Sequence, residues 1–118
     1  MRVNILLLVI LLLAGVTPAT AATLPVPGTV TMVDLGADSC IPCKMMAPIL
    51  TKLKAEYAGR AEVAFIDVWK NSGAGKEYGI RVIPTQIFYD KTGKEVKRHE
   101  GFLDEASLRQ ELDALLKE

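Results

Sequence analysis

The sequence predicts a single α/β domain built on a central mixed four-stranded sheet with helices on both faces. Three observations lead there. Short β-branched, apolar runs alternate with a stretch of helical period in the first two thirds of the chain, the pattern of strands joined by crossover helices. Two later runs are separated only by Asp90-Lys91-Thr92-Gly93, a link short enough for an antiparallel hairpin. A leucine repeat at helical spacing then closes the chain. A length of 118 residues allows one such domain at most.

The elements follow in order. Ala22 to Gly28, with Pro25, Pro27 and Gly28, reads as an extended leader or linker. Thr29–Leu35 (TVTMVDL) is apolar and β-branched, a strand buried on both faces as parallel strands are. From Cys43 to Ala58 the period becomes helical: Met46, Ile49 or Leu50, Leu53 and Tyr57 share a stripe, while Lys52, Lys54 and Glu56 face out. Gly59 is its stop, and Pro48 inside it removes one backbone donor. Glu62–Val68 (EVAFIDV) is the second strand, and the glycine-containing stretch Asn71–Gly79 makes one or two helical turns. Thr85–Tyr89 (TQIFY) and Lys94–His99 form the hairpin strands across the Asp90–Gly93 turn. Asp104 caps a last helix carrying Leu108, Leu112, Leu115 and Leu116.

Composition narrows the function. Fourteen Lys+Arg balance fourteen Asp+Glu, which excludes an electrostatic nucleic-acid binder or a polybasic membrane-surface protein as a default. Residues Ile5–Val16 are an unbroken apolar run behind Arg2, followed by Thr17, Pro18 and the small residues Ala19-Thr20-Ala21. That is the layout of a cleaved secretory signal over residues 1–21. The run is shorter than the roughly 20 residues a membrane-spanning helix needs; an uncleaved anchor is the competing reading. The expected product is a soluble exported protein, periplasmic or otherwise outside the cytoplasm, with its domain over residues 29–118.

Chemistry is concentrated at Cys40-Ile41-Pro42-Cys43, which holds both cysteines of the chain. A disulfide-stapled mini-protein and a four-ligand zinc site are excluded by count, and His99 is distant in sequence. At this spacing, between a strand and a helix, the thiols can close a small disulfide ring. The helix start, with its unpaired N–H groups and dipole, stabilises a thiolate at Cys40, the attacking form. Cys43 then resolves the mixed disulfide by attacking Cys40. A purely structural disulfide is the plainer reading, but closing four residues gains only about 2 kcal/mol in the chain-entropy picture. Copper(I) on two thiolates with Met45 or Met46 is a further alternative, although both methionines fit the core pattern of the helix. Asp34 is a carboxylate within an apolar strand; buried there, it has a raised pKa and can exchange a proton with Cys43. His99 reads as a solvated side chain of the hairpin, and Lys44 as a surface lysine that adds positive potential near the thiolate.

Asp38-Ser39-Cys40-Ile41-Pro42-Cys43-Lys44, continuing to Leu50, resembles the active-site stretch of the thioredoxin family. Tyr78-Gly79-Ile80-Arg81-Val82-Ile83-Pro84-Thr85 resembles that family's second landmark, and Asp34 falls at its buried acid. The resemblance runs from about Val30 to the carboxyl terminus, without counterparts for the family's first strand and helix. It implies a thioredoxin-like fold, a reversible Cys40–Cys43 disulfide, and thiol–disulfide exchange with no cofactor and no metal. It implies a cis bond before Pro84, with Ile83 pairing to an extended substrate segment by strand addition and Ile41 and Pro42 beside the reacting sulfur. Gly101 resembles a glycine that leaves a flat docking surface in the family. The sequence departs from the family at Gly36 and Ser39, where thioredoxins usually carry tryptophans, at the Ile-Pro dipeptide, and at Phe65, where a lysine often neighbours the buried acid. Together these readings lead to the expectation of a monomeric protein-disulfide reductase acting on oxidised cysteine pairs of exported proteins, with a membrane thiol-electron transporter as its reductant. A disulfide oxidase or isomerase, and a non-catalytic binding module with a permanent disulfide, are the alternatives.

Overall fold

The computed structural model describes residues 23–118, so the expected signal segment lies outside the described residues. The elements are β1 (Val30–Gly36), α1 (Ile41–Tyr57), β2 (Ala61–Asp67), α2 (Ala74–Glu77), β3 (Thr85–Tyr89), β4 (Glu95–Glu100) and α3 (Glu105–Leu116). The four strands form one sheet in the order β2-β1-β3-β4. β1 runs parallel to β2 and antiparallel to β3, and β3 and β4 form the antiparallel hairpin. The sheet is therefore mixed, and no strand precedes Val30 among the described residues.

Burial follows position in the sheet. The inner strands β1 and β3 are buried along their whole length, whereas the edge strand β4 is mostly exposed. Alternation along β1 sends Val30 and Met32 to one face and Val33 and Leu35 to the other. The first face is the larger core, where Met46, Leu50, Leu53 and Tyr57 of α1 meet Leu108, Leu112 and Leu115 of α3. Tyr57 Oη also donates to Asp113 Oδ1 at 2.6 Å, tying the two long helices together. The second face is covered more thinly, by Tyr78 and Ile80 after α2 and by Leu24. Residues 23–28, expected as a leader, are irregular but docked: Val26 N–H donates to Thr31 Oγ1 at 3.1 Å and Gly28 N–H to the Lys91 carbonyl at 3.2 Å.

Local signals place the element ends. Gly59 has φ +82° just beyond α1, and the Asp104 carboxylate accepts the Ser107 N–H at 2.9 Å to cap α3. In the hairpin turn Asp90 Oδ1 accepts the N–H groups of Thr92 and Lys94. α1 begins two residues earlier than the hydrophobic period indicates, at Ile41, with Pro42 in its first turn where a missing N–H is harmless. Met45, expected in the core beside Met46, is 53% exposed. One step along a helix rotates the side chain by about 100°, and the buried stripe is set by Cys43, Met46 and Leu50.

Candidate active site

Parallel pairing brings the C-terminal ends of β1 and β2 to the same end of the sheet, and antiparallel pairing brings the start of β3 and the end of β4 there too. The loops carrying Cys40, Trp69, Pro84 and Gly101 are thereby assembled at one end. Cys40 and Cys43 are joined as a disulfide, with their Cα atoms 5.1 Å apart. Cys40 is the N-cap of α1, and its Sγ accepts the Cys43 N–H at 3.3 Å. The first turn of α1 contains no acidic residue, so nothing there opposes negative charge on the Cys40 sulfur. Cys43 is 4% exposed and Cys40 more open. One sulfur faces solvent and the other faces the protein.

The floor beneath Cys43 explains two of the sequence departures together. A Cβ on Gly36 would lie 3.1 Å from Cys43 Sγ and 3.2 Å from Phe65 Cε2. The Phe65 ring, reaching across from β2, occupies the space a side chain at residue 36 would need, and the absence of a Cβ lets ring and sulfur close in. Phe65 also pairs in register with Asp34. Between α1 and β2 a groove of about 400 Å³ opens beside Cys43, walled by Ala47, Leu50, Val63 and Phe65 with Lys44 and Lys54 at its rim.

Asp34 lies on the same face of β1 as Gly36 and is fully buried. Burial pushes its pKa up to about 6, against the opposing effect of a hydrogen bond from Gln86. Gln86 Nε2 donates to Asp34 Oδ1 at 2.8 Å. Sequence reasoning missed Gln86. Its signal was a lone amide in an otherwise apolar strand, but its partner is visible only from the β1–β3 register, where Asp34 and Gln86 are opposite.

Asp67, at the end of β2, was also missed. Its Oδ2 accepts the Asp38 N–H at 3.0 Å, and its Oδ1 accepts those of Trp69 and Lys70 at 2.9 and 3.1 Å. Burial acts to raise its pKa, yet these three donors outweigh it and hold the carboxyl below its usual range. Asp67 thus ties the loop leading into Cys40 to the loop carrying Trp69, and Lys70 pairs with Asp38 across the same junction.

In the loop leading into β3, at the same end of the sheet, the Ile83–Pro84 bond is cis. The Pro84 carbonyl accepts the Gly101 N–H at 2.7 Å, which fastens β4 to this loop. The N–H and C=O of Ile83 have no partner among the described residues. Ile41, Trp69, Val82 and Phe102 are exposed apolar side chains at this end of the sheet. A second groove, of about 340 Å³, runs between Trp69, Ile80, Val82 and Ile83. His99 is partly exposed and lies on β4, with Nε2 3.1 Å from the Phe102 carbonyl.

The described domain is similar to known proteins over most of its length. The thioredoxin family model matches residues 23–114. Thioredoxins of Staphylococcus aureus strains Mu50 and MW2 are each 39% identical over 84 residues, covering 71% of this chain and 80% of theirs. The X-ray structure of Fasciola hepatica thioredoxin superposes with a TM-score of 0.66 at 32% identity, covering 75% of this chain and 83% of that one. With the cysteine pair capping α1 and the mixed four-stranded sheet beneath it, this chain belongs to the thioredoxin family, whose general activity is thiol–disulfide exchange.

Proposed function

We propose that the protein is an exported protein-disulfide reductase working through a Cys40/Cys43 dithiol–disulfide cycle. The observation that carries this reading is the asymmetry of the pair: Cys40 is the more open sulfur at the helix start and Cys43 is buried behind it. In the reduced protein the Cys40 thiolate attacks a substrate disulfide, and one substrate sulfur leaves as a thiolate. Cys43 then gives up its proton, with Asp34 as the acceptor, and attacks Cys40 Sγ. The second substrate sulfur departs, and the Cys40–Cys43 disulfide remains. An extended substrate segment pairs with the free backbone of Ile83, and Ile41, Pro42 and Pro84 pack beside the exchanging sulfurs. Electrons return from a membrane thiol-electron transporter. The natural targets on this reading are oxidised cysteine pairs of exported proteins.

The test combines a redox equilibrium with trapping. A Cys40–Cys43 potential in the range of thioredoxin, about −270 mV, supports reduction; one near the about −120 mV of a strong oxidant sinks it in favour of disulfide formation. A Cys43→Ser variant accumulates mixed disulfides through Cys40 if the protein is a catalyst, and traps nothing if it is a binding module. Export is tested by the amino terminus of the protein recovered outside the cytoplasm, which is Ala22 if the signal is cleaved after Ala21.

A further inference from the structure

Asp34 and Gln86 are both fully buried, and one hydrogen bond joins them, from Gln86 Nε2 to Asp34 Oδ1. Asp34 Oδ2 and Gln86 Oε1 are left without a partner. Both are acceptors, so no exchange between the two groups as drawn satisfies either; a donor must be added. The neighbouring elements make no hydrogen bond to either oxygen: β4 places His99 opposite Gln86, but its Nε2 is engaged with the Phe102 carbonyl. β2 contributes the Phe65 ring opposite Asp34, and α3 contributes leucines. The buried titratable groups of α1 are Cys43 and, at the helix's far end, Tyr57, whose hydroxyl is engaged with Asp113. No ionic partner contributes to the state of Asp34.

We propose that Gln86 is a positioning residue that makes Asp34 half of an acid–amide pair, in which one proton on Oδ2 is donated to Oε1 and removes both deficits at once. When the proton leaves, the carboxylate stays held by Nε2. Gln86 thus does with a neutral amide what a neighbouring cation does elsewhere, and it leaves the acid free to be neutral. The inference rests on the proposed role of Asp34 as proton acceptor for Cys43. In that step the Cys43 S–H bond breaks and an O–H bond forms on Asp34. The sulfur's electron pair then attacks Cys40 Sγ as the bond to the substrate sulfur breaks. The raised pKa of Asp34, about 6, agrees with a pair that trades its proton close to neutrality.

The experiment follows the titration of Asp34 in the folded, oxidised protein by its infrared carboxylic-acid band, alongside the pH dependence of peptide-disulfide reduction. Asp34→Asn, Gln86→Leu and Gln86→Met are the variants. In the wild type the band should titrate near pH 6 at the frequency of a hydrogen-bonded acid. Either Gln86 variant removes both bonds of the pair. The buried charge, left with no donor at all, loses more by this than the neutral acid does. The titration therefore moves up by about one to two pH units and the band moves to that of an unbonded acid. Reduction at pH 7 falls by about two- to tenfold and recovers at higher pH. If Asp34→Asn reduces the peptide with an unaltered pH profile, the role of Asp34 itself is overturned. If Asp34→Asn alters the profile while both Gln86 variants titrate as wild type, the role of Gln86 is overturned. A wild-type band at the frequency of an unbonded acid overturns the pair without recourse to any Gln86 variant.

Discussion

Replacing Asp34 by asparagine should stabilise the folded protein at neutral pH and do almost nothing in acid. Burial raises the carboxyl from 3.8 to about 6, a rise of about 2.2 units, and at about 1.36 kcal/mol per unit the buried charge costs about 3 kcal/mol. The folded state binds the proton more tightly than the unfolded chain. Stability therefore falls as pH rises between 3.8 and about 6, and the whole penalty applies above that range. Asparagine carries no charge and fits the site as the protonated acid would. Its oxygen can accept from Gln86 Nε2, and its amide nitrogen can supply the donor that Oε1 lacks. Urea unfolding of the oxidised protein is the assay. At pH 8 the variant should be more stable by about 3 kcal/mol, which moves the midpoint up by about 1–3 M for the slopes usual in small domains. At pH 4 the gain should shrink to about 0.5 kcal/mol. A difference that is constant with pH, or a variant less stable at pH 8, refutes the reasoning.

Three further outcomes are expected. Phe65→Lys places an ammonium opposite Asp34, and the half-exposed position leaves it a route to water; the carboxyl pKa should fall by about 1–3 units, and the stabilisation by Asp34→Asn at pH 8 should shrink in the double variant. Tyr57→Phe removes the 2.6 Å bond between α1 and α3 and should cost about 1 kcal/mol in urea unfolding. Leu112→Ala empties a fully buried position in the larger core and should cost about 2–5 kcal/mol, with the Cys40–Cys43 potential unchanged because the cavity lies at the other end of α1.

Periodicity and short-range chemistry were enough for the strand and helix order, the hairpin, the Asp104 cap and the cysteine pair, because each is written within one or two turns of chain. The buried stripe of α1 was legible for Met46, Leu53 and Tyr57 but not for the fate of Met45. Adjacent residues differ only by rotation about the helix, and the sheet decides which rotation is covered. Gly36 and Phe65 could each be seen in the sequence as a departure from the family, yet that one fills the space left by the other depends on the parallel register of β1 and β2. Asp67 joins the loops before Cys40 and around Trp69 through backbone donors that no side-chain pattern announces.

The sequence by itself determined the cysteine pair at the start of α1 and the acid set within β1, both of which the fold bears out as a disulfide and a buried carboxylate. The tertiary structure alone decided what surrounds that acid: Gln86 meets Asp34 across 52 residues of chain, and contacts at such separations are chosen by register and packing, not by neighbouring residues.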